Sequence, residues 1–321
     1  MIYLLYGEET YLKENKVKKI KKEFGELIQG INFVSIDETN INNLILDIET
    51  PAFGHEKKLI IAKNTNLFKK EKKTSKNPLI EKVEEYIEKY HEQINEDIEL
   101  VFVEDEVEEN NLFKTIKKYG EVVEFNGLKL SDLIKNIKNI SGLYKVKIND
   151  PAASYLVECC GTDMQDIINE LRKLIEYVGE GNEITAKDID LLGTKQIQAI
   201  IFDLTDNLGK KDIKKSLDVL RGLIISKEPA QKILVTLYNH FKKLFIVKIA
   251  EENNKDLATS MKLKPNQLFL TTKYKQQAKF FNKEELESII KELSELDRKY
   301  KIGLIDLEIG LESILCKYCS K

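Results

Sequence analysis

Five short apolar runs punctuate the first 125 residues: IYLLY (2–6), NFVSI (32–36), KLIIA (58–62), ELVFV (99–103) and EVVEF (121–125). Their length and near-continuous apolar character predict strands buried on both faces. Stretches with helical spacing lie between them: Glu9 to Phe24, Asn40 to Ile48, Pro78 to Tyr90 and Asn110 to Tyr119. The third places Leu79, Val83, Tyr86, Ile87 and Tyr90 on one face, and the fourth opens on capping asparagines and stops at Gly120. Strands alternating with helices predict a parallel sheet covered on both sides.

After about residue 140 the pattern predicts no further strands and becomes helical. DPAASYLVECCG reads as a helix capped by Asp150 with Pro151 at its first position. DMQDIINELRKLIEYVG carries Ile167, Ile168, Leu171, Leu174, Ile175 and Val178 on one face, and ITAKDIDLL follows with Thr185 as cap, which makes a small three-helix unit. From Gln196 onward each segment has an apolar i, i+3/i+4 face: 197–209, 212–225, 229–252, 264–281, 283–303 and 304–318. The expected architecture is α/β plus all-α. An N-terminal parallel-sheet domain spans 1–140, a three-helix domain 141–208, and a larger helical domain 209–321.

At 321 residues the chain is long enough for two or three domains, with 42% hydrophobic and 33% charged residues. No run approaches the length of a membrane span, and no basic stretch followed by an apolar one opens the chain, so a cytoplasmic protein without membrane contact is expected. The net charge of −3 does not draw the whole molecule to nucleic acid. Of 51 basic residues only Arg172, Arg221 and Arg298 are arginines. Four cysteines, Cys159, Cys160, Cys316 and Cys319, lack the paired spacing of a zinc site and read as reduced thiols in helices.

The strand–glycine–helix layout of MIYLLYGEETYLKEN poses the question of a phosphate loop. Such a loop needs GxxxxGK[ST], with glycines for backbone approach, a lysine on the phosphates and a hydroxyl for Mg²⁺. Here Gly7 is the only glycine, Glu8 and Glu9 place negative charge where phosphate would sit, and no Lys-Ser/Thr pair opens the helix. No nucleotide, metal or other cofactor is expected. Leu100 to Val103 followed by Glu104, Asp105 and Glu106 resembles a strand ending in a Mg²⁺-holding acid, but it has no partner loop. No arginine precedes Arg172, so the first domain has no arginine finger to offer a neighbour. The histidines His55, His91 and His240 share no metal spacing, and neither GxSxG nor HExxH occurs. The Lys-rich segment LFKKEKKTSKNP (67–78) reads as a solvated loop or as a contact for DNA phosphates.

Pro51, Ala52, Phe53 and Gly54 form an apolar tip just before a strand. A phenylalanine there either folds back onto its own domain or serves as an anchor for a partner's pocket.

With YLLYGEETYL, PAFGHEKKLIIAKN, DMQDIINELRKLIEYVGEGNEITAKDI, IFDLTDNLGKKDIKKSLDVLRGLI and LDRKYKIGLIDLEIGLESIL in order, the chain resembles the delta subunit of bacterial DNA polymerase III, a clamp-loader component. The resemblance implies an AAA+-like N-terminal domain without nucleotide motifs, a helical lid, and a collar holding a ring with gamma/tau and delta-prime subunits. It implies a non-catalytic protein that binds and opens the sliding clamp (beta subunit) for loading onto primed DNA. The clamp-binding element falls on Pro51, Ala52, Phe53 and Gly54, with Phe53 as anchor, and the Tyr300 region of the collar would approach template DNA. Ala52 departs from relatives with a second large apolar residue beside the phenylalanine. The competing readings are an AAA+-type ATPase with a divergent phosphate loop, and a helical scaffold unrelated to replication.

Overall fold

The computed structural model describes residues 1–69 and 77–319. The chain forms two compact units, Met1–Gly127 and Leu128–Lys321. Residues 70–76, the middle of the Lys-rich segment 67–78, lie outside the described residues, while its Leu67 and Phe68 are buried.

The first unit alternates strand and helix: β1 (Ile2–Tyr6), α1 (Thr10–Phe24), β2 (Phe33–Ile36), α2 (Leu44–Glu49), β3 (Lys58–Lys63), α3 (Pro78–Asp97), β4 (Ile98–Glu104), α4 (Asn111–Tyr119) and β5 (Glu121–Glu124). All five expected strands form and pair in parallel in the order β2-β3-β4-β1-β5, with Leu4 opposite both Phe102 and Val122, and Ile60 opposite Leu100. The strand period of two assigns the faces. Ile2, Leu4, Ile60, Leu100 and Phe102 meet the helices α2, α3 and α4, whereas Leu5, Leu59, Ile61, Val101 and Val103 meet Val17 and Ile20 of α1. Burial on both sides is why these runs read as continuously apolar. The caps are asparagines: Asn77 accepts from the Leu79 amide and Asn110 from the Phe113 amide. The segment expected as one helix over 40–48 divides into a 3₁₀ turn (Ile41–Asn43) and the short α2.

The second unit contains α5 (Leu130–Leu143), β6 (Lys147–Ile148), α6 (Asp150–Cys160), α7 (Met164–Val178), β7 (Glu183–Ile184), α8 (Ala186–Leu192), α9 (Ile197–Gly209), α10 (Ile213–Ile225), α11 (Ala230–Glu252), α12 (Leu257–Ser260), α13 (Leu270–Ala278), α14 (Lys283–Lys301) and α15 (Leu307–Cys319). Three expectations are corrected. Strands do not end at 140: β6 and β7 form a parallel pair with Ile148 opposite Ile184, too short to leave a period in the sequence. The cap of α6 is Asn149, which accepts from the Ala152 amide, so Asp150 is already helical. The helix expected over 264–281 contracts to a 3₁₀ turn at Pro265–Gln267 and α13. Thr185 does open α8, with the Asp188 carboxylate accepting from both its amide and its hydroxyl. The helices α9 to α15 share one core built on Leu204, Leu237, Phe241, Tyr274, Leu293 and Leu311. Among the described residues no helix is long and apolar enough to cross a membrane.

Candidate functional site

The apolar tip grows out of the end of α2. The Thr50 amide and hydroxyl both donate to the Leu46 carbonyl, which closes the helix. The chain then turns at 52–55, where the His55 amide donates to the Ala52 carbonyl at 2.9 Å. Gly54 sits at φ +79°, the left-handed region that glycine enters without steric cost. Pro51 and Gly54 are exposed and Ala52 is half-buried. Phe53 is 90% exposed, the most solvent-accessible large apolar side chain of the described residues. It does not fold back onto its domain.

Two tethers hold this loop. Lys58, the first residue of β3 and only 4% exposed, donates from Nζ to the carbonyls of Asp47 at 2.6 Å and Thr50 at 3.0 Å. These carbonyls lie at the C-terminal end of α2, where the helix leaves acceptors unpaired. Burial pushes the Lys58 ammonium below its ordinary pKa. On the other side, buried Asn32 accepts from the Ile28 amide through Oδ1, and donates through Nδ2 to the Glu26 carbonyl and to His55 Nδ1 at 3.2 Å. The first two bonds fix which end of the amide is which, so His55 Nδ1 is the acceptor and Nε2 carries the proton. Sequence reading found Phe53 but neither tether. It also missed Leu46, which is 63% exposed one turn before the tip.

The β1–α1 loop is closed by its own chain. Gly7 has φ +121°, and a Cβ there would lie 2.3 Å from the Phe125 carbonyl oxygen. That carbonyl accepts from the Glu9 amide at 3.0 Å, and the Phe125 amide donates to Tyr6. The loop amide at Glu9 is thereby turned to the backbone after β5. The α1 lysine nearest the loop, Lys13, is buried, and its ammonium donates to the Glu104 carbonyl at 2.9 Å and pairs with Asp105 at 2.6 Å. The acid at the end of β4 is also engaged: Glu104 is 3% exposed and its Oε1 accepts from the Thr65 amide at 2.8 Å and hydroxyl at 2.6 Å. Burial raises its pKa despite these bonds.

In the second unit Cys159 and Cys160 are buried in α6, while Cys316 is exposed and Cys319 half-buried in α15. Tyr300 lies half-buried against the helical core. His240 is fully enclosed: Nε2 donates to Gln277 Oε1 at 2.8 Å, and the Gln277 amide nitrogen is fixed by the Phe202 carbonyl and Asp206. Burial pushes its pKa down to about 3.

A five-stranded parallel sheet in this order, followed by a helical unit, defines an AAA+-like module. Its first loop is filled by its own backbone. A family model described as "DNA polymerase III, delta subunit" matches residues 3–126, and one described as "DNA polymerase III delta subunit, C-terminal domain" matches 198–318. The chain belongs to the family of DNA polymerase III delta subunits, clamp-loader components of DNA replication. It is 28% identical to DNA polymerase III subunit delta of Bacillus subtilis, across 98% of this chain and 91% of that one. It is 27% identical to a probable DNA polymerase III subunit delta of Aquifex aeolicus, across 95% and 87%. Among solved structures it is similar to the Bacillus subtilis DNA clamp loader delta protein, with TM-score 0.70, 26% identity and coverage of 100% of this chain and 95% of that one.

Proposed function

We propose that this chain is the non-catalytic clamp-loader subunit that binds the sliding clamp (beta subunit) through Pro51, Ala52, Phe53 and Gly54 and opens it for loading onto primed DNA. The observation that carries this reading is the 90% exposure of Phe53 on a loop whose two flanks are tethered. An aromatic side chain held out on a tethered loop has the form of an anchor that fills a partner's pocket. Burying it would contribute about 1.5–3 kcal/mol, with exposed Leu46 as the nearest further apolar group on α2.

Opening follows from linkage. A ligand shifts a two-state equilibrium only by its differential affinity for the two states. A tip that binds the distorted interface of the clamp more tightly than the closed one opens the ring without hydrolysis. ATP would act on other subunits. The β1–α1 loop supports this division, since its Glu9 amide and the Lys13 ammonium are directed at protein groups. These contacts count against the ATPase reading. In this proposal residues 1–140 present the tip, 141–208 form the lid, and 209–321 form the collar that joins gamma/tau and delta-prime subunits in the cytoplasm.

The test is surface plasmon resonance on the sliding clamp of the same organism, with wild type and Phe53→Ala. The expected result is wild-type binding that weakens about thirtyfold on truncation, the equivalent of roughly 2 kcal/mol, with unchanged circular dichroism. Equal binding by both proteins removes Phe53 from the site, and absence of wild-type binding removes the clamp-binding function from the isolated chain.

A further inference from the structure

A groove of about 470 Å³ runs beside the tip, between the 48–58 loop and α3. Pro51 and Ala52 form part of its wall, so any surface that takes Phe53 is brought against its mouth. The small Ala52 side chain leaves that end open. The opposite wall carries Tyr86 and Tyr90, whose rings are 4.7 Å apart at a tilt of 41°. The helix deviates from helical geometry at Tyr90, with φ −120° and ψ 15°.

The charge in the groove is one-sided. Glu49, Glu56 and Asp97 line it, all exposed, and among the described residues none of them forms an ion pair. The lysine that lines it, Lys58, has its ammonium committed to the Asp47 and Thr50 carbonyls. Burial raises the Tyr86 pKa, and the negative charge of Glu49 raises it further. Tyr90 is already faced by Lys89, with Nζ 5.0 Å from the ring centroid. The groove therefore joins the Tyr86 ring, which no lysine faces among the described residues, to a wall that carries the carboxylates of Glu49, Glu56 and Asp97. An aromatic face beside carboxylates suits a guanidinium or ammonium group, which gains both cation–π and ion-pair attraction there.

We propose that this groove is a second, charge-selective contact for the clamp, taking an arginine or lysine side chain of the clamp beside Tyr86 while Phe53 fills its apolar pocket. The proposal rests on the clamp-binding reading given above. It assigns to the groove the extra affinity that a large residue at position 52 would otherwise supply.

The experiment measures binding of the full chain to immobilised clamp at low and high salt, for wild type, Glu49→Gln/Asp97→Asn, Phe53→Ala, and the control Glu14→Gln/Glu124→Gln. The control removes the same charge from exposed positions on α1 and at the end of β5 that do not line the groove. The expected result is that Glu49→Gln/Asp97→Asn binds roughly tenfold more weakly at low salt, with a shallower salt dependence, while the control binds as wild type. If the groove variant keeps wild-type affinity and salt dependence while Phe53→Ala loses binding, the groove proposal is overturned and the tip stands. If groove variant and control weaken equally, the effect is diffuse charge and the groove is again overturned. If wild type does not bind, both readings fall together.

Discussion

Lys58 is the residue on which the geometry of the tip depends most directly, and Lys58→Met isolates its contribution. The methionine keeps an unbranched apolar stem in the buried channel and deletes only the ammonium. Two acceptors lose their donor: the Asp47 carbonyl at 2.6 Å and the Thr50 carbonyl at 3.0 Å. Charge-assisted bonds of this kind contribute about 1.5–3 kcal/mol each. Against that stands the desolvation of the ammonium, visible as its lowered pKa. Thr50 is exposed, so water replaces part of the loss there. The net cost to folding is about 2 kcal/mol, the range for leaving one buried carbonyl unsatisfied. The loop itself gains freedom. Ordering one residue's backbone costs about 1–2 kcal/mol, so clamp affinity should fall roughly five- to thirtyfold, chiefly through faster dissociation. Urea unfolding of the isolated chain and clamp-binding kinetics read the two effects separately. A variant with the wild-type unfolding midpoint and wild-type dissociation rate would refute the tether argument.

Three further outcomes are expected. His240 takes up a proton at its ordinary pKa when unfolded but only near pH 3 when folded. The unfolded state therefore binds more protons between about pH 6.5 and 3, and stability falls as pH drops through that window, by up to about 1.4 kcal/mol per pH unit. His240→Gln should flatten this slope in urea titrations at stepped pH, and an unchanged slope would assign it to other groups. Glu104 has the opposite sign: its folded pKa is raised, so its ionisation removes stability as pH rises above the ordinary glutamate value. Glu104→Gln should raise the thermal midpoint at neutral pH, and a lower midpoint would mean that the charged form stabilises the β4 end. Gly7→Ala forces a side chain into positive φ and against the Phe125 carbonyl. It should cost about 3 kcal/mol or more, read as a lower urea midpoint, and a neutral result would show that the β1–α1 loop can move away from β5.

The central strands β1, β3 and β4 were legible because each is buried on both faces, so neither register nor partner matters to the pattern, and the partly buried edge strands β2 and β5 were legible from their short apolar runs. Leu4 and Leu5 face opposite helix layers and are both fully buried. The β6–β7 pair was not legible, because two residues per strand carry no period. The position of the tip was readable from Pro51, Phe53 and Gly54, but its exposure was not. Whether Phe53 folds back depends on where α2 stops, and that is set by Thr50 and by Lys58, whose partners lie 8 and 11 residues back in the chain. The filling of the phosphate-type loop is still less local: Lys13 reaches Asp105, 92 residues away. Polar residues buried by distant partners look like solvated ones in sequence.

Under the proposed function, the placement of these groups would let the fold work without a nucleotide switch. In parallel α/β sheets ligands sit at the carboxyl ends of the strands. Gly7, Asp105 and Glu104 occupy that edge here, and they are engaged with Phe125, Lys13 and Thr65 respectively. The tip lies at the opposite edge, since Lys58 opens β3 in register with Ile98 at the start of β4. The six residues of β3 separate the two edges by roughly 20 Å. A carboxyl edge locked by its own side chains makes the sheet a stiff platform, and the Lys58 and Asn32 tethers carry that stiffness into the loop. A preorganised loop loses little entropy on binding. On the proposed reading, more of the free energy of burying Phe53 would then remain to distort the clamp, as opening through binding alone would require.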